Sequence, residues 1–185
     1  MRKRRYNPTN QFINVSGWNI TDNYACDFLK GDNDHGNGTT RIPPHGYAII
    51  ADRGTRIYEN FSVDSTAVRL YVDDSSIGNG LGNEKDRLIL ENSNGGQVDA
   101  VEWGYNYTEV PGTPIDLVDE GHSLARNNDS DTNNSFIDFY DGIIPTPGSK
   151  NKYVQGGDLD IEVCPRYIPK IQNNSEYSIF PLLSS

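Results

Sequence analysis

Asp129-Ser130-Asp131-Thr132-Asn133 sets three oxygen-bearing side chains at alternate positions. That is the spacing with which an EF-hand loop begins to wrap Ca²⁺. The rest of such a loop is absent. Its sixth position is Asn134 instead of Gly, and its twelfth is Tyr140 instead of a bidentate Glu. What remains is a looser surface Ca²⁺ site on Asp129, Asp131 and Asn133, helped by Asp138, or an ordinary Asn/Asp turn cluster. "GDNDHGNG" (31–38) offers Asp32 and Asp34 in the same two senses. No cofactor other than Ca²⁺ is suggested.

The remaining chemistry-bearing residues are scattered. His35, His45 and His122 stand in separate contexts without the spacing of a metal site. His122 and Ser123 are neighbours in sequence, which does not make a nucleophile and its base. Gly-X-Ser-X-Gly, His-Glu-X-X-His, Cys-X-X-Cys and phosphate-loop motifs are all missing from the sequence. The expectation is a protein that is not an enzyme. Eleven Tyr, among them Tyr105, Tyr107 and Tyr140 near turns, suit an adaptable binding surface and serve equally as strand residues.

Such residues need elements to hold them, and composition limits which. The 185 residues include 18 Gly, 10 Pro and about twenty Asn, with 35% hydrophobic. That favours short strands between turns over long helices, because every candidate helix is interrupted within about two turns. Net charge is −10, or −14 once the cations of Arg2-Lys3-Arg4-Arg5 are set aside. An acidic body repels phosphate backbones, so nucleic acid is not the expected partner. The basic tetrad reads as a solvated terminus, or as an arm for nucleic acid or a membrane surface; no apolar stretch follows to make it a signal peptide. No run of apolar residues is long enough for a membrane span.

Compartment is better marked by Asn-X-Ser/Thr. It occurs at Asn14, Asn19, Asn37, Asn60, Asn106, Asn128, Asn133 and Asn173, where composition alone would give roughly two or three. The excess points to an extracellular or cell-surface glycoprotein. Cys26 and Cys164 fit one disulfide in an oxidising compartment, or two free thiols.

The strands are short and bounded by turn residues. Ile13 and Val15 alternate, Ser16-Gly17 shifts the parity as a bulge or bend would, and Trp18 and Ile20 continue it. Further strands are expected at 24–29, 47–51 and 68–72. The run 87–91, the turn "NSNGG" and 97–103 then read as a hairpin. Turn signals every eight to twelve residues point to an all-β sandwich or barrel.

"YNPTNQFINVSGWNITD" (6–22), "IPPHGYAIIAD" (42–52), "DRLILENSNGGQVDAVEWG" (86–104), "GHSLAR" (121–126) and "PTPGSKN" (145–151) together resemble the lamin-tail domain, piece by piece in family order. The resemblance implies an immunoglobulin-like β-sandwich over 6–151 and a non-catalytic module that binds, displays or spaces. Trp18 is expected at the centre between two sheets. Leu88 and Leu90, with Val98 and Val101, are expected to supply the hairpin's core face. Arg126 stands at the family's Ser-Leu-X-Arg position and reads as an ion-pair or carbonyl clamp rather than a catalytic group.

The family's opening, a strand ending in Glu-Val and then a Glu-Tyr strand, does not precede Tyr6. Residues 1–5 form the basic terminus, and similar strands stand instead in the tail over 152–185, at 159–163 and 176–180. The tail is then the start of a next repeat, a permuted pair closing its own sandwich or a strand-swapped dimer, or an unrelated linker. The functional expectation is a structural or interaction module, one unit of a tandem array, contacting other protein domains or surface glycans. The alternative is an accessory domain that targets an attached hydrolase or nuclease to carbohydrate or nucleic acid.

Overall fold

A computed structural model describes residues 7–22, 24–104, 114–127 and 131–152. In chain order the elements are β1 (Ile13–Asn14), β2 (Asn19–Thr21), β3 (Cys26–Gly31), β4 (Arg41–Ile42), β5 (Ala48–Ala51), α1 (Ile57–Asn60), β6 (Val68–Val72), β7 (Lys85–Glu91), β8 (Gln97–Gly104), β9 (Ser123–Arg126), α2 (Ser135–Asp138) and β10 (Phe139–Gly142). Both helices are single turns, as the Gly, Pro and Asn punctuation requires. The all-β expectation holds. The expected tail strands at 159–163 and 176–180 lie outside the described residues.

Six strands form one curled mixed sheet in the order β5-β6-β3-β2-β7-β8, and β1–β4 and β9–β10 form two small antiparallel ladders. All neighbours in the large sheet are antiparallel except β5 and β6, which run parallel after a crossover through α1. Cross-strand partners share a face, so register sorts the side chains. Ile20 opposes Leu90, Leu88 opposes Val101, Leu29 opposes Val72, and Ile50 opposes Leu70. These residues make the inner face, and all are buried in one cluster that also takes Ile42 from β4, Val15 from beside the β1–β4 ladder and Phe139 from β10. On the other face, Ile49 and Ala51 are covered by Ile57 of α1, with Tyr58, Phe61 and Val63 packed around them.

The hairpin is as the sequence reads. β7 and β8 pair antiparallel around a turn in which Asn92 N–H donates to Gly96 O at 2.8 Å and Gly95 N–H to Asn92 O at 2.9 Å. Glu91 pairs with Gln97 and Leu90 with Asp99, which leaves Val98 as the extra residue of a bulge. Val98 is therefore only half-buried against the core, although Leu88, Leu90 and Val101 are fully within it.

Trp18 departs from expectation. The Ser16-Gly17 bend is a tight turn, with Gly17 at φ 77° and Trp18 N–H donating to Val15 O at 3.1 Å. The turn delivers Trp18 to the mouth of β2, where it is half-buried at the margin of the cluster. Aliphatic side chains, Val15 and Ile20 among them, fill the centre. The parity shift moves the chain from one ladder to another, so the large aromatic does not sit between facing layers.

Asn7 fastens the first stretch. Its side chain is fully buried, and its Nδ2 donates to Ile42 O at 3.1 Å and Pro43 O at 2.8 Å. The backbones clasp as well, with Asn7 N–H donating to Gly46 O and His45 N–H to Asn7 O. His45, at φ 54°, makes the left-handed step of that turn.

Candidate functional site

β9 and β10 place two groups of titratable side chains against the rest of the fold. In the first, Arg126 ends β9 on the buried side of its ladder. Its Nη2 donates to both carboxylate oxygens of Asp99 on β8, at 3.1 and 2.9 Å, and its Nη1 lies 3.9 Å from Asp138 at the end of α2. Arg126 is 4% exposed, Asp99 8% and Asp138 2%. The guanidinium also lies 4.3 Å from the centre of the Phe139 ring, its cross-strand partner in the ladder. Burial pushes the Asp99 carboxyl up to about 7, against the lowering influence of Arg126 and of the Ala100 N–H. Asp138 accepts Thr132 N–H at 2.8–2.9 Å and Asn134 N–H at 3.3 Å. The arrangement is a buried clamp joining β8, β9 and α2, which is the ion-pair role expected of Arg126.

The second group is partly exposed. Asp119 and His122 bound a turn closed by His122 N–H donating to Asp119 O at 3.0 Å, with Gly121 at φ 87°. Asp141 of β10 brings both carboxylate oxygens to His122 Nδ1, at 2.8 and 3.0 Å. One ligand atom from each of Asp119, His122 and Asp141 lies within 4.8 Å of the others. His122 therefore does belong to a cluster, contrary to the reading of isolated histidines. The Asp-X-X-His spacing was visible in the sequence, whereas Asp141 arrives through the ladder. Ser123 Oγ donates to Gly142 O at 3.3 Å and takes no part.

The expected Ca²⁺ loop is described only in part. Asp129 lies outside the described residues, and Asn133 is exposed at φ 57°. Asp138, the expected helper, accepts the N–H groups of Thr132 and Asn134 and faces Arg126. The Asp32 loop behaves alike. Asp32 Oδ1 accepts Asp34 N–H at 2.8 Å and His35 N–H at 3.0 Å, while Oδ2 faces His35 Nδ1 at 3.0 Å. Burial works against these contacts, and the contacts win, leaving the Asp32 carboxyl below its ordinary value. His35 in turn stacks on Tyr58 at 4.5 Å, and burial raises the Tyr58 hydroxyl to about 12.

Among the sequons, Asn14, Asn37, Asn60 and Asn133 are exposed, while Asn106, Asn128 and Asn173 lie outside the described residues. Asn19 is a correction. It sits in β2 between β3 and β7, 8% exposed, so a glycan there would have to displace a strand from the sheet. Cys26 is exposed on β3 and has no disulfide partner among the described residues, and its expected partner Cys164 lies outside them.

Sequence reasoning missed three other carboxylates that pin the 78–87 segment. Asp22 Oδ2 accepts Asn79 N–H at 2.8 Å, Asp27 accepts Gly78 N–H at 2.6 Å, and Asp86 accepts the N–H groups of Gly82 at 2.6 Å and Arg87 at 2.8 Å. Only the Gly-rich composition of that loop hinted at a need for such anchors. No protein-family model, curated protein or solved structure matches the chain.

Proposed function

We propose that this chain is a non-catalytic interaction module of an extracellular or cell-surface protein, built as a lamin-tail-like, immunoglobulin-like β-sandwich and used as one unit of an array. One observation carries the reading: the five stretches that resemble the family fasten to one another. Asn7 of the first locks onto the Ile42–Gly46 turn of the second. β2 of the first pairs with β7 of the third. Arg126 of the fourth clamps Asp99 of the third, and Asn151 Nδ2 of the fifth donates to Arg126 O at 3.1 Å. Residues picked out only by their order in sequence thus form one mechanical circuit, as a scaffold does. Its partners are other protein domains or surface glycans.

Four exposed sequons on the described surface support the extracellular placement. Peptide mapping of the protein from its native source tests both parts. Recovery in the surface fraction, with glycan at any of Asn14, Asn37, Asn60 and Asn133 and none at Asn19, is the expected result. Recovery inside the cell with every sequon bare would overturn the reading.

A further inference from the structure

We infer that Asp119, His122 and Asp141 form a site for a divalent transition-metal cation of the zinc class. The first argument is convergence. The tight turn ending at His122 supplies two ligands, and β10, paired along its length with β9, supplies the third. A Cβ at Gly121 would meet nothing within 4 Å, so the glycine serves the positive φ of that turn and not its packing.

The second argument is what these carboxylates do not do. Asp22, Asp32, Asp86 and Asp138 each accept backbone N–H groups from their own loops, and Asp27 accepts that of Gly78. Among the described residues, the side chains of Asp119 and Asp141 accept none. One oxygen of each lies within 4.8 Å of the other and of a ring nitrogen of His122, and the two carboxylates together carry a charge of −2. A divalent cation matches that charge.

Geometry and donor type select the cation. Zinc holds N and O ligands at about 2.0–2.2 Å, which in a tetrahedron sets donor atoms about 3.3 Å apart. The Nδ1-to-carboxylate distances of 2.8 and 3.0 Å need to open only slightly, and exposed Asp119 is free to swing inward. An imidazole with two carboxylates suits Zn²⁺, Mn²⁺ or Ni²⁺, whereas Ca²⁺ takes six to eight oxygens. With three protein ligands, water completes the shell. A bound ion ties the turn before β9 to β10.

Calorimetric titration of the chelator-stripped full chain with Zn²⁺ and, separately, with Ca²⁺ tests this. One equivalent of Zn²⁺ is expected to bind saturably and Ca²⁺ not at all. Asp119→Asn, His122→Gln and Asp141→Asn are each expected to weaken Zn²⁺ binding by about tenfold or more. His35→Gln and His45→Gln are expected to leave it unchanged. Co²⁺ in place of Zn²⁺ is expected to give a ligand-field spectrum that the His122→Gln protein lacks. Asp119 is exposed and outside every strand, so its variant keeps the fold and reports on the site even where another variant does not. Absence of saturable Zn²⁺ heat in the wild type, or binding that survives both Asp119→Asn and His122→Gln, overturns the inference.

Discussion

Replacing Arg126 by Met keeps most of the side chain's volume and removes its charge. The clamp predicts a large and pH-dependent loss of stability. At about pH 8 Asp99 is ionised beside Arg126 in the native state. Without the guanidinium, which lowers its pKa, it either stays a nearly buried charge with no counter-ion or takes up a proton that the unfolded chain lacks, and both cost stability. Breaking a buried pair from one side costs about 3–5 kcal/mol. The guanidinium's contact with Phe139 adds about 1–2 kcal/mol, since the pair is desolvated. Asp138 limits the damage because it keeps the amide donors of Thr132 and Asn134. Against a total stability of about 5–15 kcal/mol, the variant is expected to be barely folded at alkaline pH.

Acid relieves part of this. The Asp99 carboxyl is raised from 3.8 to about 7 in the fold, so between those pH values the native state holds a proton that the unfolded chain has released. Stability contributed by this group is therefore present below the unfolded pKa and is lost as pH rises towards 7, by about 4 kcal/mol across the window. At about pH 5 the Arg126→Met protein is expected to lose only about 1–2 kcal/mol, because Asp99 is already neutral. Urea unfolding followed by fluorescence of the two Trp residues measures both numbers. A double-mutant cycle with Asp99→Asn is expected to give a coupling of about 1.5–3 kcal/mol at pH 8 and less at pH 5. A loss below about 1 kcal/mol at pH 8, or a coupling independent of pH, would refute the reasoning.

Asp99→Asn alone keeps an acceptor for Arg126 and cannot ionise. Its unfolding free energy is expected to lack the fall of about 4 kcal/mol between pH 4 and 7 that this carboxyl gives the wild type, and matched curves for the two proteins would exclude the raised pKa. Asn7→Ala leaves the Ile42 and Pro43 carbonyls without their donor and is expected to cost about 2–3 kcal/mol in the same urea assay. Gly78→Ala combines φ 59° with a Cβ driven into the Asp22 carboxylate, and a loss of about 2 kcal/mol or more is expected. Gly95→Ala shares the positive φ but opens onto empty space, so about 1 kcal/mol is expected; equal losses at the two glycines would deny the contact at Gly78.

What was legible in the sequence is what depends on neighbours along the chain. Val68, Leu70 and Val72 alternate because β6 buries one face, and Asn94-Gly95 marks the hairpin because a positive φ is needed there. The Ser16-Gly17 shift was visible for the same reason. Its consequence for Trp18 was not, because that depends on which ladder each side of the bend joins. The parallel pairing of β5 and β6 was hidden in a connection that looked like one loop. Asp99, Arg126 and Asp138 come from three elements, and nothing local to any of them signals burial. Asn19 matches the sequon as well as Asn14 does. The difference lies in the partners that β3 and β7 bring to it.

The acidic balance takes on another meaning once its carboxylates are located. A mostly β chain with long connections has many loop N–H groups that no strand can satisfy, and a buried amide without a partner is costly. Aspartate is short enough to reach back to amides two or three residues away, as Asp22 does to Tyr24 and Ala25 and Asp64 does to Thr66. In this fold the Asp-rich loops therefore draw their positive partners from their own backbone. Asp138, expected to help a Ca²⁺ site, is an example, since its oxygens are turned onto the amides of Thr132 and Asn134. The criterion that separates the two uses is origin. Asp32 and Asp64 accept amides of their own loops, whereas Asp141 accepts none among the described residues and meets the imidazole of His122 from a different element.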